Sequence, residues 1–161
     1  MKRAKLDAID LQILTELQND GRITNVDLAS RVGISAPPCL RRVRALEKAG
    51  LIRGYHGDLN GRALGFEVTV FAMVGLHSQA EADLKSFEAL VGSWPLVREC
   101  HMLNGDIDFI LKCVAPDLST FQSFLTEKLT PAPNVASVRT SLTIRQSKHL
   151  PGVPLEVLEE E

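Results

Sequence analysis

Up to about residue 55 the apolar residues repeat at three and four, whereas beyond residue 66 such runs are interspersed with alternating stretches. The first period belongs to helices and the second to strands. The change falls in residues 56–66, which carry Gly57, Asn60, Gly61 and Gly65. This stretch reads as a strand and hinge between two domains. The expected organisation is a helical unit over 1–55, a linker over 56–66, an α+β unit over 67–150 and a tail over 151–161. The tail has two prolines and ends in Glu159-Glu160-Glu161, so it is expected to be mobile and acidic.

The first unit reads as three helices. Leu6, Ile9, Ile13, Leu14 and Leu17 recur at helical spacing, and Asp20-Gly21 ends that run. Gly21 is the expected left-handed residue after the helix. Thr24-Asn25-Val26-Asp27 opens a short second helix that Gly33 breaks. Ser35 then offers an N-cap oxygen to a third helix with Leu40, Val43 and Leu46 inward and Gly50 as its stop. Pro37-Pro38 must lie in the first turn of that helix, which fixes its start within a residue or two. Leu51 to Tyr55 reads as a short strand. A short helix, a glycine turn and a second helix have the spacing of a helix-turn-helix, with a winged-helix-like end.

Charge singles out the same segment. The chain carries a net charge of −2, but residues 1–62 hold eleven Lys/Arg and seven Asp/Glu, while the remainder holds seven and thirteen. Between Arg31 and Arg53 six basic residues (Arg31, Arg41, Arg42, Arg44, Lys48, Arg53) face one acid, Glu47. On the third helix Arg41, Arg44 and Lys48 form a stripe roughly 130° from the apolar one, with Arg42 on the other flank. Guanidinium groups pair with phosphates or bidentately with guanine. Ser35, Ala36, Pro37, Pro38, Cys39, Arg41 and Arg42 are assigned to a major groove. Arg31, Arg44, Lys48 and Arg53 are assigned to phosphates, together with the backbone N–H groups of Thr24 and Asn25. A three-helix bundle with a solvated basic helix is the competing reading.

The second unit runs strand, helix, strand, strand, helix, strand. Glu67–Leu76 is the first strand and Glu81–Val91 the first helix. Val97–Leu103 and Asp108–Val114 pair through Asn104-Gly105, a hairpin signal. Asp117 caps a helix ended by Pro131 and Pro133, and Val135–Gln146 is a long last strand. This is the split βαβ, ferredoxin-like plan, a four-stranded antiparallel sheet with both helices on one side. In the first strand Val68, Val70, Ala72, Val74 and Leu76 point one way and Thr69, Phe71 and Met73 the other. Both faces read as largely apolar, and two helices cover only one. A second copy is the economical cover, so a homodimer is expected.

Other chemistries find little support. No apolar run reaches the roughly 18–20 residues of a membrane span, and no apolar segment follows the basic Met1-Lys2-Arg3-Ala4-Lys5 start, so neither a membrane nor a secretory route is expected. Cys39, Cys100 and Cys113 are odd in number and form no CxxC, which points to a reducing cytoplasm; Cys100 and Cys113 are read as core. Cys100 and His101 are adjacent in a strand and point apart. His56, His77, His101 and His149 lack metal-ligand spacing, so no metal is expected. Nothing supplies a nucleophile-base set or a cofactor loop, so the chain is not read as an enzyme, and no cofactor is expected. A metabolite-binding partner protein is a further alternative.

Three runs in the first unit are recognisable: Leu6-Asp7-Ala8-Ile9-Asp10-Leu11-Gln12-Ile13-Leu14, Asp20 to Ala29, and Arg31-Val32-Gly33-Ile34-Ser35. Pro38-Cys39-Leu40-Arg41-Arg42-Val43-Arg44-Ala45-Leu46-Glu47 and Gly50 to Tyr55 follow. With Glu99-Cys100-His101 and Gly105-Asp106-Ile107-Asp108-Phe109, they closely resemble the Lrp/AsnC, or feast/famine, family of bacterial and archaeal regulators over about residues 6–146. The resemblance implies a cytoplasmic, nucleoid-associated regulator that binds double-stranded DNA as a dimer and assembles into tetramers or octamers. It implies an amino-acid effector at a cleft between subunits or dimers, with Met102, Leu103, Asn104, Gly105, Asp106 and Asp108 in the site and Arg139, Thr140, Ser141 and Thr143 facing it. Asp106 or Asp108 suits an ammonium group, Gly105 allows close backbone approach to a carboxylate, and Thr140, Ser141 or Thr143 can add hydroxyls. A plain hairpin turn is the alternative for Asn104-Gly105-Asp106.

Overall fold

Two glycines decide where the second and third helices stop. A computed structural model describes residues 5–158; residues 1–4 and the Glu159-Glu160-Glu161 end lie outside it. Helix α1 spans Ala8–Asn19, α2 Asn25–Arg31 and α3 Ala36–Lys48. After α2, Gly33 takes φ 72°, and Gly33 N and Ile34 N donate to Ser30 O and Ala29 O. After α3, Gly50 repeats this at φ 72°, with Gly50 N and Leu51 N donating to Glu47 O and Leu46 O. Both are Schellman closures, which only a residue tolerant of positive φ makes cheaply. Helix α1 ends differently from expectation. Gly21 is not left-handed; Asp20 Oδ1 accepts Arg22 N at 3.0 Å, so a local side-chain turn releases the chain instead.

Ile13, Leu28, Ala29, Val32, Cys39 and Leu46 form the core of this unit. Leu40, expected inward, is 37% exposed, and Cys39 is fully buried in its place. The buried edge of α3 is therefore Cys39, Val43 and Leu46. The expected strand at Leu51–Tyr55 does not form. The Leu51 N–H closes α3, and the Tyr55 hydroxyl donates to Glu47 Oε1 at 2.9 Å. Burial, aided by Glu47, pushes that hydroxyl up to about 12. Residues 56–66 contain only a short 3-10 turn, Arg62–Leu64.

The tail is not loose. The segment from Lys148 onward folds with the chain up to Asp58, and residues 59–147 form the second unit. The Gln18 side chain brackets Val153, donating to its carbonyl and accepting from its N–H, both at 2.9 Å. Leu155, in the 3-10 turn Leu155–Leu158, is 8% exposed. Gly152 has φ 75°, and a Cβ built there would collide with the Gln18 side chain. A single apolar anchor and one amide bracket thus order a stretch expected to be mobile.

In the second unit β1 (Val68–Leu76), α4 (Glu81–Gly92), β2 (Val97–Met102), β3 (Phe109–Ala115), α5 (Leu118–Phe124) and β4 (Val135–Leu142) follow in order. A π-helical turn, Leu125–Leu129, extends α5. The sheet order is β2-β3-β1-β4, all neighbours antiparallel. Val70, Ala72, Val74 and Leu76 of β1 and Phe109, Leu111, Cys113 and Ala115 of β3 pack with Phe87, Val91, Phe121, Phe124 and Leu129 on the helix side. Phe87 lies 4.9 Å from Phe109, and Trp94 meets Phe124 edge-on at 5.3 Å, ring centre to centre. The opposite face is mixed rather than uniformly apolar. Phe71, Met73, Ile110 and Val114 are half-buried there, beside Lys112, which donates to Glu99 at 2.7 Å. His101 lies 3.4 Å from the same carboxylate.

Cys113 is core, and burial pushes its thiol up to about 11. Cys100, expected in the core, is exposed because β2 is a sheet edge, and Cys39 is buried. A thiol reagent applied to the native protein should label one cysteine, Cys100, ahead of the other two; fast labelling of all three would contradict this packing. Leu155→Ala should destabilise the first unit by about 2 kcal/mol through the cavity left. Hydrogen exchange in α1 reads this directly, and unchanged protection there would show that the tail contributes nothing.

Candidate nucleic-acid interface and ligand loop

Burial of Cys39, Val43 and Leu46 sets which sides of α3 remain outward. At 100° per residue, Arg41, Arg44 and Lys48 fall roughly opposite that buried edge. All three are exposed. None has a carboxylate partner among the described residues, and neither does Arg53. Ser35 and Pro37 at the helix start are exposed, while Ala36 and Pro38 are half-buried. Ser35 occupies the N-cap position but its hydroxyl makes no cap bond, which leaves it available outward.

Several residues assigned to a duplex have partners within the fold. Cys39 is fully buried, so it cannot reach a groove. Arg42 lies on the flank of α3, where its Nη1 sits 2.8 Å from Asp7 Oδ2 and 2.7 Å from Asp10 Oδ1. Arg31 pairs with Glu16 at 2.7 Å. Hydrogen bonds to these carboxylates, Asp10 first for Arg42 and Glu16 for Arg31, raise both guanidiniums above their ordinary value. The Thr24 hydroxyl caps α2 by accepting Asp27 N at 3.1 Å. The Asn25 amide donates to Ala36 O at 2.8 Å, tying the start of α2 to the start of α3. For Thr24 and Asn25 this leaves the main chain as the only outward donor set. None of these partners is visible from the spacing of residues along one helix.

The loop expected to hold a ligand runs from Leu103 to Asp108, closed by Leu103 N donating to Asp108 O at 2.8 Å. It is six residues long, two more than the expected strand bounds leave, and Gly105 has φ 153°. Met102, Leu103, Asn104, Gly105 and Asp106 are exposed. Asp108 is committed to the fold: Oδ2 accepts Leu76 N at 2.7 Å and Oδ1 accepts Gln79 Nε2 at 2.8 Å. Asp106 has no such partner among the described residues, so of the two carboxylates it is the one left for a ligand.

Arg139, Thr140, Ser141 and Thr143 do not face this loop within one chain. β4 pairs with β1 at the sheet edge opposite β2. Phe109, at the loop end of β3, aligns with Val74 and through it with Val138, whereas Thr143 N donates to Thr69 O near the far end of β1. Thr143 therefore lies roughly 16 Å along the strand from the loop end. Arg139 and Ser141 share the open face with Met73 and Phe71, and Thr140 points to the helix side. The physical reason is strand order: β1 lies between the hairpin and the last strand, and β2 and β4 are opposite edges.

Among the described residues no three His, Cys, Asp or Glu side chains come together to hold a metal. No helix is long and apolar enough to cross a membrane.

Comparison with known proteins identifies a family for each half of the chain. Residues 6–53 match the winged helix-turn-helix DNA-binding family, and residues 69–153 match the Lrp/AsnC ligand binding domain. The leucine-responsive regulatory protein of Rhizobium meliloti is 62% identical over 146 residues, covering 91% of this chain and 94% of that protein. The protein of that name from Escherichia coli K12 is 42% identical, covering 89% and 87%. A transcriptional regulator from Neisseria meningitidis, solved as a complex with L-Met, superposes with a TM-score of 0.91 at 34% identity, covering 96% of this chain and 99% of that one. Accordingly, the chain belongs to the Lrp/AsnC family: it is a transcription regulator with a DNA-binding helix-turn-helix and a ligand-binding domain, and not an enzyme.

Proposed function

We propose that this regulator grips duplex DNA as a homodimer, through the side of α3 that carries Arg41, Arg44 and Lys48. The observation that carries the reading is that these three cations stand opposite the buried edge of α3, unpaired among the described residues, whereas Arg31 and Arg42 are bound to the protein's own carboxylates. Arg41, with Ser35, Ala36, Pro37 and Pro38, enters the major groove. Arg44, Lys48 and Arg53 contact phosphates, which position the helix without reading sequence. A second copy covers the open sheet face, where Phe71, Met73 and Ile110 supply apolar area and the Glu99–Lys112 pair a polar rim. Two recognition helices then meet half-sites about one helical turn apart, or a multiple. Tetramers and octamers build from this dimer, and the regulator works in the cytoplasm on the nucleoid.

The effector is an amino acid held by the Leu103 to Asp108 loop, with Asp106 opposite its ammonium group. The ligand-binding domain match and the L-Met complex of the Neisseria neighbour support this class. Arg139, Ser141 and Thr143 complete such a site only from another copy, which ties ligand binding to assembly. The effector regulates by preferring one assembly over another, a shift of populations.

Titrating DNA affinity against salt tests the interface. Log affinity should fall linearly with log salt, with a slope of about −0.9 per phosphate contacted. Lys48→Ala should reduce that slope by about one, while Arg41→Ala should cost about 1–3 kcal/mol of discrimination between sequences. A salt-independent affinity would refute the reading. For the ligand loop, thermal-shift measurements against the common amino acids identify the effector. Asp106→Ala should abolish the shift, and an undiminished shift would move the site elsewhere.

A further inference from the structure

We propose that Arg42, Asp7 and Asp10 form a positioning clamp that sets the angle of α3 for reading DNA, and that Arg42 is not itself a DNA contact. The clamp joins the middle of α3 to the first turn of α1, and all four carboxylate oxygens are used. Asp7 Oδ1 accepts Asp10 N at 2.8 Å and Asp10 Oδ2 accepts Asp7 N at 3.4 Å. This is the reciprocal capping box that starts α1. The remaining oxygens, Asp7 Oδ2 and Asp10 Oδ1, both take Arg42 Nη1. One nitrogen thus bridges two carboxylates that the helix cap already holds still.

The surroundings favour this arrangement over release to a duplex. Two acids at the start of α1 sit where the helix dipole favours negative charge. The Asp7 carboxyl is held below its ordinary range, first by the Asp10 N–H and then by Arg42. The side chains of Arg42 and Asp10 are only 33% and 18% exposed. Releasing Arg42 from both partners would leave two unpaired anions beside a polyanion, which favours Nη1 staying with Asp7 and Asp10. The same helices also meet in the core, where Ile13 packs in one cluster with Cys39 and Leu46. A core contact and a clamp give two fixed points, and two points determine a crossing angle.

The clamp makes a prediction whose sign differs from that of simple electrostatics. Asp10→Asn removes a negative charge near the interface, which by charge alone should strengthen DNA binding. As a broken clamp it should weaken sequence-specific binding instead. The full-length protein is tested on the duplex that wild type enriches from a random library and on a random-sequence duplex. Asp10→Asn and Arg42→Ala should each lose on the order of tenfold affinity for the enriched duplex, within the range of coupled residues, and the double variant should lose no more than either alone. Affinity for random duplex and the salt slope should stay near wild type. Asp7→Asn, whose amide still caps α1, carries the same test should Asp10→Asn unfold the unit. Arg41→Ala runs in parallel: loss of specificity there keeps the groove assignment independent of the clamp. Wild-type or tighter binding of the enriched duplex by the aspartate variants, or a salt slope reduced by about one in Arg42→Ala alone, would overturn the clamp and make Arg42 a phosphate contact.

Discussion

The rotation of α3 about its own axis depends on the burial of one small side chain, Cys39. With Cys39, Val43 and Leu46 facing the core, every other side chain of the helix has its direction prescribed. Arg41, Arg44 and Lys48 point away from the core, and Arg42 points along the flank toward α1. Had Leu40 been the buried residue, the helix would be turned by roughly 100° and the basic surface would be a different one. The glycine closures at Gly33 and Gly50 matter for the same reason: they limit α2 and α3 to lengths at which this packing is met.

The second unit obeys a different constraint, the order of its strands. Placing β3 and β1 in the centre gives the sheet a closed helix side and an open side with a mixed surface. It also puts β2 and the last strand on opposite edges. Asp108 then serves to fasten the start of β3 to the end of β1, through Leu76 N and Gln79. Asn134 does a similar task at the start of β4, at φ 67°, with its amide bracketing the Ser78 backbone at 2.9 and 2.8 Å. These polar fastenings hold the end of the sheet from which the Leu103 to Asp108 loop emerges.

Most elements were readable because their signals are local. Thr24 and Asp117 cap helices as their residue types suggest, and the alternation in β1 separates its two faces correctly. What was hidden depends on partners distant in the chain. Arg42 reads as one more cation on a basic helix until Asp7, 35 residues earlier, is placed beside it. Cys39 and Leu40 are adjacent, and apolarity alone prefers leucine for the core. Asp106 and Asp108 look equivalent in sequence, but only one has its oxygens occupied. The last strand does not meet the loop within one chain because strand order, not strand identity, decides neighbours. The tail carries a single buried leucine, too weak a pattern to announce order.

The bracket between Gln18 and Val153 also has a topological consequence. Because the segment from Lys148 onward belongs with the chain up to Asp58, the ligand-binding unit is inserted within the helix-turn-helix unit rather than appended to it. Two covalent connections run between them. A protease that severs one leaves two fragments joined only by the packing of the tail against the helical unit, and a chimaera that exchanges the sensor must carry both junctions.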